Sequence, residues 1–232
     1  MIINSCIKFH SPEDKKRLLQ RGPLQISSQD IHTEWGNILG SATREQEVQD
    51  FLERYPEMLP GLLDLHNGPL HNIIVSKFHF GADYRCDFAF ATRHSMAVQF
   101  TFVEIEDPTK PVFNNDGSFS QLFNHARQQM ADWKIWADKN INTLVDMFSP
   151  MFETYDAWND YKDFRFYLIC GRRSEVEVEK KRKDRWSSIQ AMSEGKTFVM
   201  SYDRLSLSEK IQDRLIVCTY HDRAFYAKPE LI

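Results

Sequence analysis

The amino-acid sequence predicts an α/β fold in which a helix is followed by three strands, a second helix and a fourth strand. Two stretches carry apolar residues at helical spacing, and short alternating runs rich in aromatic and β-branched residues lie between and after them. The chain has 232 residues, 42% hydrophobic and 13% aromatic, enough to bury a full core. We expect a mixed central sheet flanked by helices, with an extension at 1–42 and a domain at 43–232 that ends in an α/β extension.

Charge and hydropathy limit the classes of function. The formal net charge is −4 and the isoelectric point about 6.1, whereas proteins that bind nucleic acid by bulk electrostatics are usually basic. Any contact with nucleic acid should therefore be local or mediated by a metal. No stretch approaches the roughly 20 apolar residues that span a bilayer, and the first residues become charged too early for a secretory signal. The expected location is the cytoplasm, without membrane contact.

The helix, three strands and helix follow one another from residue 43. Thr43-Arg44-Glu45-Gln46 has the form of a capping box and begins a helix predicted over 43–54. Strands are predicted at 72–80, 84–90 and 98–106, as a meander. The earlier residues, 1–40, have a pattern too irregular to assign.

The second helix is predicted to be capped by Ser118 or Ser120 and to pack on the sheet through one apolar stripe. The stripe consists of Leu122, Phe123, Ala126, Met130, Trp133 and Ala137. Further elements are predicted as a strand at 164–170, a charged helix near 174–192, a strand at 197–201, a short helix from Asp203 and a strand near 214–220.

Two acidic residues are expected to meet across the last hairpin of the meander. If the strands turn near 94–97, Asp87 lies opposite Glu104, with Cβ atoms about 5 Å apart. Glu104 and Glu106 share the face of Val98. Carboxylates so close repel unless a cation lies between them, and their hard oxygens suit Mg²⁺ or Mn²⁺. The alternative is that these acids are solvated charges at strand ends.

Four segments carry a resemblance to a known family. They are EVQDFLERYPEML at 47–59, VQFTFVEIEDPTKPVF at 98–113, SFSQLFNHARQQMADW at 118–133 and SYDRL at 201–205. Together they resemble the nuclease domain of the Shedu anti-phage defence family, a branch of the PD-(D/E)xK superfamily, over about residues 43 to 205. The resemblance implies a restriction-endonuclease-like core, metal-dependent cleavage of DNA and assembly into a homo-oligomer.

The resemblance assigns motif positions to Asp87, Glu104 and Glu106. The third position is usually lysine, and some restriction enzymes have glutamate there. In the mechanism that follows, Asp87, Glu104 and the Ile105 carbonyl bind Mg²⁺, while Glu106 binds a second ion or accepts a proton. Gln129, followed by Trp133, is similar to a Q-x-x-x-Y helix motif and is expected to orient a water or a phosphate oxygen.

Four further residues are possible accessory groups. Lys77 or Lys110 would supply the positive charge that Glu106 lacks. Glu47 would be an accessory acid on the first helix, with a solvated helix charge as the alternative. His125, on the flank of Gln129, is expected to be structural more than catalytic.

A basic segment at 172–186 is the candidate for DNA binding. Lys180, Lys181, Lys183 and Arg185 would contact phosphates, with Trp186 stacking. A solvated helix face with acid–base pairs one turn apart is the alternative.

The sequence thus predicts a metal-dependent endonuclease acting on DNA in anti-phage defence. Two other functions remain open. One is a DNA-binding or sensor module that keeps the fold without cleavage, and the other is an oligomeric scaffold within a defence complex.

Overall fold

The fold is organised around one mixed sheet. The computed structural model describes residues 5–20, 27–64, 67–80, 82, 84–152, 159–192, 195–207 and 214–231. The strands are β1 Ile7–Lys8, β2 Ile73–Phe80, β3 Tyr84–His94, β4 Ala97–Ile105, β5 Tyr161–Ile169, β6 Thr197–Met200, β7 Ile216–His221 and β8 Ala224–Ala227. Their order across the sheet is β1-β8-β7-β2-β3-β4-β5-β6.

Helices cover both faces of this sheet. They are α1 Pro12–Gln20, α2 Ser28–Ser41, α3 Glu45–Arg54, α4 Gln121–Lys139, α5 Ile141–Phe148, α6 Arg173–Val176 and α7 Lys180–Met192. Short 3-10 turns lie at Pro56–Met58, Leu70–Asn72, Ser149–Phe152, Tyr202–Arg204 and Pro229–Leu231. Within the described ranges, no helix combines the length and apolarity that crossing a membrane requires.

The predicted order of elements in the centre of the chain is confirmed. α3 precedes an antiparallel meander of β2, β3 and β4, and α4 precedes β5, which pairs in parallel with β4. The predicted mixed sheet with flanking helices is therefore present. The predicted charged helix near 174–192 is divided into α6 and α7, and the predicted short helix from Asp203 is a 3-10 turn.

Two apolar clusters, one on each face, hold the helices to the sheet. On one face, Phe123, Met130 and Trp133 of α4 pack with Phe100 and Phe102 of β4. Burial of each such side chain contributes about 1.5–3 kcal/mol. Ser120 caps α4, because its hydroxyl accepts a hydrogen bond from the Phe123 N–H at 3.1 Å. Leu122, predicted on the stripe, is instead 48% exposed.

On the other face, α3 packs against the sheet. Val48, Phe51 and Leu52 are buried with Val103 and Ile105 of β4. The helix begins at Glu45 and not at residue 43, and its N-cap, Arg44, makes no side-chain capping bond. α3 and α4 thus lie on opposite faces of β4.

The described part of the first forty residues is more regular than the sequence indicated. β1 pairs in parallel with β8, and Ile31 and Trp35 of α2 are buried in the same cluster as α3. These residues contribute to the same sheet and the same cluster as the rest of the chain. The division at residue 42 into two units remains a prediction.

Candidate active site

The hairpin of β3 and β4 has the register that the sequence predicts. Its pairs run from His94 with Ala97 to Phe88 with Val103. One step further along the same register, Asp87 is opposite Glu104. The two predicted acids therefore meet at the end of β4, where the parallel strand β5 also ends.

Asp87 is the most enclosed of these acids, with 5% of its surface exposed. One carboxylate oxygen, Oδ2, accepts a hydrogen bond from the Ile105 N–H at 2.8 Å. The other, Oδ1, accepts from the Lys77 ammonium group, which also forms an ion pair with it. Ile105 therefore contacts Asp87 through its N–H group, and a metal-binding role for its carbonyl oxygen stays a prediction.

Lys77 reaches Asp87 because both strands change faces at this point. On β2, Val75 and Phe78 pack into the same cluster although they are three residues apart, and regular alternation would separate them. Lys77 lies between them with φ of 50°, a conformation that L-residues rarely adopt. On β3, Cys86 and Ala89 show the same spacing. Regular alternation, which would put Lys77 on one face with Val75 and His79, therefore does not hold here.

Glu104 is hydrogen-bonded to the long helix on that face. Gln129 Nε2 donates to Glu104 Oε1 at 3.0 Å, so the structure brings together two predicted site residues. Burial, followed by the negative charge of Asp87, raises the pKa of Glu104 to about 10. This shift favours a proton on Glu104 while no metal ion is bound.

Glu106 lies at the more open side of the cluster. Its Oε2 accepts a hydrogen bond from Lys110 Nζ at 3.1 Å, and its backbone oxygen accepts one from the Tyr202 hydroxyl group. Its backbone N–H donates to Ile169 O of β5 at 2.9 Å. Both predicted lysines thus contact a motif acid, Lys77 at Asp87 and Lys110 at Glu106.

A fourth acid, Glu45 at the first position of α3, belongs to this group and was missed as a site residue. Burial, followed by the charge of Asp87, raises its pKa, and the charge of Glu106 adds to the rise. The signal was present in the sequence, since Glu45 precedes the buried Val48 by three residues and so lies on the same helix face. We call Glu45, Asp87, Glu104 and Glu106 the carboxylate cluster.

Glu47, the predicted accessory acid, is engaged elsewhere. It accepts hydrogen bonds from the Thr43 N–H and hydroxyl groups at 3.3 Å and pairs with Arg44 at 3.6 Å. It therefore supports the start of α3, and its role as an accessory acid stays a prediction. His125 is exposed on α4, one turn before Gln129.

The predicted DNA-binding residues fall into two groups. Lys181 Nζ donates to the Asp116 carbonyl oxygen at 2.6 Å, and Arg185 donates to the Gly117 carbonyl oxygen, so both hold the loop before α4. Lys180 and Lys183 are exposed. The Trp186 ring stacks on Phe123, with centroids 6.2 Å apart. Two of the four predicted cations thus already have structural partners.

The donor set has the chemistry of a site for a hard divalent cation. Asp87 and Glu104 supply carboxylate oxygens that repel each other unless a proton or a cation is shared. Among the described residues, no three His, Cys, Asp or Glu side chains form a ready metal-binding group. Two carboxylates with a backbone oxygen or water remain compatible with Mg²⁺, which usually keeps several waters.

Fold and site together define an α/β protein with a buried carboxylate cluster at the carboxyl end of parallel strands, where α/β proteins commonly bind ligands. The family model described as Shedu protein SduA, C-terminal, matches residues 42–206. The chain therefore belongs to the Shedu family of defence proteins, as the resemblance predicted. No curated protein matches the chain.

Proposed function

We propose that this protein is a metal-dependent nuclease that cleaves DNA in anti-phage defence. The supporting observation is the pairing of buried acids: the pKa of Glu104 is about 10 beside Asp87, and the Lys77 ammonium group contacts the same Asp87. Two carboxyl groups so close that the charge of one makes ionisation of the other unfavourable are typical of functional sites. Shedu membership suggests the biological process, and the restriction-endonuclease-like core is part of the proposal.

In this mechanism Asp87, Glu104 and the Ile105 carbonyl bind Mg²⁺ or Mn²⁺. A cation held by these groups would polarise the phosphodiester and lower the pKa of a water molecule. Gln129 holds the Glu104 carboxylate in place through its 3.0 Å hydrogen bond. Glu45 adds negative charge next to Asp87 and increases the attraction for a cation.

Lys77 takes the role of the lysine that the motif lacks at Glu106. Its ammonium group lies at Asp87, and a cation there stabilises the negative charge that develops on the phosphate during hydrolysis. Glu106 then accepts a proton from the attacking water, and Lys110, four residues further along the chain, orients the Glu106 carboxylate.

A second candidate is a DNA-binding or sensor module without cleavage. The observation that favours it is the Lys77–Asp87 ion pair itself, because a lysine that neutralises a buried aspartate can replace a metal as a structural partner. Assembly into a homo-oligomer, which the resemblance implies, is a separate proposal.

Cleavage assays with Asp87 and Lys77 variants separate the two candidates. We expect the wild type to cut plasmid and labelled duplex DNA with Mg²⁺ or Mn²⁺ and to stop in EDTA. Asp87→Asn should abolish cleavage. Lys77→Met should lower the maximal rate by about 10²–10³-fold, as loss of one group that stabilises the transition state does.

The matched control is Asp222→Asn at the turn between β7 and β8. Its side chain is 90% exposed, and asparagine tolerates the positive φ of 49° at this position. This variant should cut as the wild type does. Metal-dependent cleavage that survives in Asp87→Asn would refute the assignment of the site, and a folded wild type that binds DNA but never cuts it would favour the sensor module.

A further inference from the structure

A groove lined in part by cationic residues lies at the same edge of the sheet as the carboxylate cluster. It has a volume of about 350 Å³ and is lined by the cationic residues Arg173, Lys183 and Arg204, with Ser187 and Ser201 beside them. This volume is within the range of roughly 300–1,000 Å³ that is usual for ligand sites. Of these residues, Lys183 is a predicted DNA contact, and Arg173 lies within the predicted basic segment at 172–186.

Topology places the groove next to the cluster. Strands β4, β5 and β6 run in parallel, so their carboxyl ends meet at one edge. Arg173 follows β5 within four residues, and Arg204 follows β6 within four residues. Tyr202 connects the two sites, because it follows Ser201 of the groove and its hydroxyl group donates to the backbone oxygen of Glu106.

The three groove cations are not used by the fold. All three are exposed, and within the described ranges no acceptor lies in hydrogen-bonding distance of their side chains. Their neighbours differ: Arg172 pairs with Asp203 at 3.2 Å, and Lys181 binds the Asp116 carbonyl oxygen.

The charge of the described lining is therefore positive in a protein whose net charge is −4. Glu177 is the acid among the described lining residues, so three cations face one carboxylate. The protein as a whole repels polyanions, so a local excess of positive charge such as this one favours contact with a phosphate backbone.

We infer that the groove binds the phosphodiester backbone of the nucleic-acid strand that enters the carboxylate cluster. This inference rests on the proposed nuclease function. Arg173, Lys183 and Arg204 contact successive phosphates, and the serine hydroxyl groups donate to phosphate oxygens. The Trp186 ring packs on Phe123 and forms part of the groove wall, leaving backbone contacts as the basis of binding. Binding should therefore be independent of sequence.

Salt-dependent binding of DNA by a groove variant tests the inference. The variant combines Arg173→Gln, Lys183→Gln and Arg204→Gln. The probes are a labelled single-stranded DNA and its duplex. Binding is measured by fluorescence anisotropy in EDTA, so that no DNA is cut. We expect affinity to fall by at least about tenfold at low salt, uniformly across sequences. The slope of log Kd against log salt concentration should decrease by about two to three, since each phosphate contact contributes roughly 0.7–0.9.

The matched control removes three exposed cations at the other end of the molecule. Lys15→Gln, Lys16→Gln and Arg17→Gln change the charge equally on α1, near the opposite edge strand β1. This control should keep the wild-type slope. An equal loss in both variants would show that net charge, and not the groove, determines binding, and would overturn the inference.

Each other outcome is decisive. Wild-type affinity and slope in the groove variant, or no binding of DNA by the wild type, overturn the inference. If the triple variant unfolds, Lys183→Gln alone should lower the slope by about one. Binding that depends on the groove in a protein that never cuts DNA would retain the groove and reject the nuclease. If the groove variant keeps the wild-type slope while Asp87→Asn loses cleavage, the nuclease is retained and the groove is rejected.

Discussion

At the scale of single residues, Glu104 links the chemistry of the cluster to stability. Burial and the Asp87 charge raise its pKa to about 10, against an ordinary value of 4.5. Between these values the folded protein keeps a proton that the unfolded chain releases. The metal-free protein should therefore lose stability as the pH rises from about 5 towards 10.

Thermal unfolding in EDTA at a series of pH values measures this loss. Glu104→Gln, which keeps the hydrogen-bonding shape without the charge, should remove most of the pH dependence. Glu45 should leave a small remainder of the same sign, because its pKa is also raised. Mg²⁺ should reverse the trend, since it binds the ionised acids. A wild type whose stability in EDTA is the same at pH 5 and pH 9 would contradict the shared-proton description of Asp87 and Glu104.

The sequence could predict which acids meet, and it could not predict which cation compensates their negative charge. Alternation on β4 and a short turn place Asp87 opposite Glu104, because the hydrophobic pattern and the turn length set the register of a hairpin. The ion pair of Lys77 depends on a change of faces at a residue with φ of 50°, and alternation alone forbids that. The place of Glu45 beside these acids, by contrast, follows from helix spacing, since Glu45 precedes the buried Val48 by three residues.

At the scale of elements, α2 is a helix that the sequence did not predict, because glycine within it weakens the helical pattern. Gly36 lies within Ser28–Ser41, and a Cβ atom added there meets nothing within 4 Å. Gly36→Ala should therefore stabilise the protein by about 0.5–1 kcal/mol, because glycine loses more backbone entropy and is a poor helix former.

The comparison for this prediction is Gly61→Ala. Gly61 has φ of 79°, and an added Cβ atom would lie 2.8 Å from the Tyr167 ring, so this variant should be destabilised. Denaturant unfolding of both variants measures the difference. Destabilisation by Gly36→Ala would mean that α2 is not a regular helix at this position.

Elements with a long and regular hydrophobic period could be predicted from the sequence, and those that depend on unusual turns could not. α4 shows its apolar stripe over about four helical turns, and β4 alternates along its length. β8 follows a turn in which Asp222 and Arg223 have φ of 49° and 57°. Such turns usually contain Gly or Asn, so the sequence of this one gives no signal of a hairpin.

At the scale of the whole molecule, the end of the chain is part of the sheet that carries the site. β7 lies in parallel beside β2, the strand that holds Lys77. Lys228, just after β8, donates to Glu53 Oε2 of α3 at 2.6 Å, while Gln49 and Ser76 donate to Oε1. The family match ends at residue 206, yet α3, the first helix within the match, is held to the sheet by Lys228, which lies beyond that point.

Replacing Lys228 should therefore weaken the whole fold in a manner that depends on pH. Burial raises the pKa of Glu53, but the hydrogen bonds from Lys228, Ser76 and Gln49 together hold it below its ordinary value of 4.5. With a folded pKa below the unfolded one, this stabilisation is present above about pH 4.5 and is lost as the pH falls. Lys228→Met should cost roughly 3 kcal/mol at neutral pH, because it leaves a buried carboxylate without its cation.

The charge can be separated from packing by a second change at Glu53. Adding Glu53→Gln to Lys228→Met should recover part of the lost free energy of unfolding at pH 7, because the uncompensated charge is gone. The cost of Lys228→Met alone should shrink at pH values below the lowered pKa of Glu53, where that acid is neutral. Urea unfolding of the wild type and of both variants at pH 7 and pH 3.5 gives the six free energies required. A cost that is equal at both pH values and unaffected by Glu53→Gln would mean that Lys228 stabilises the sheet through the packing of its aliphatic chain.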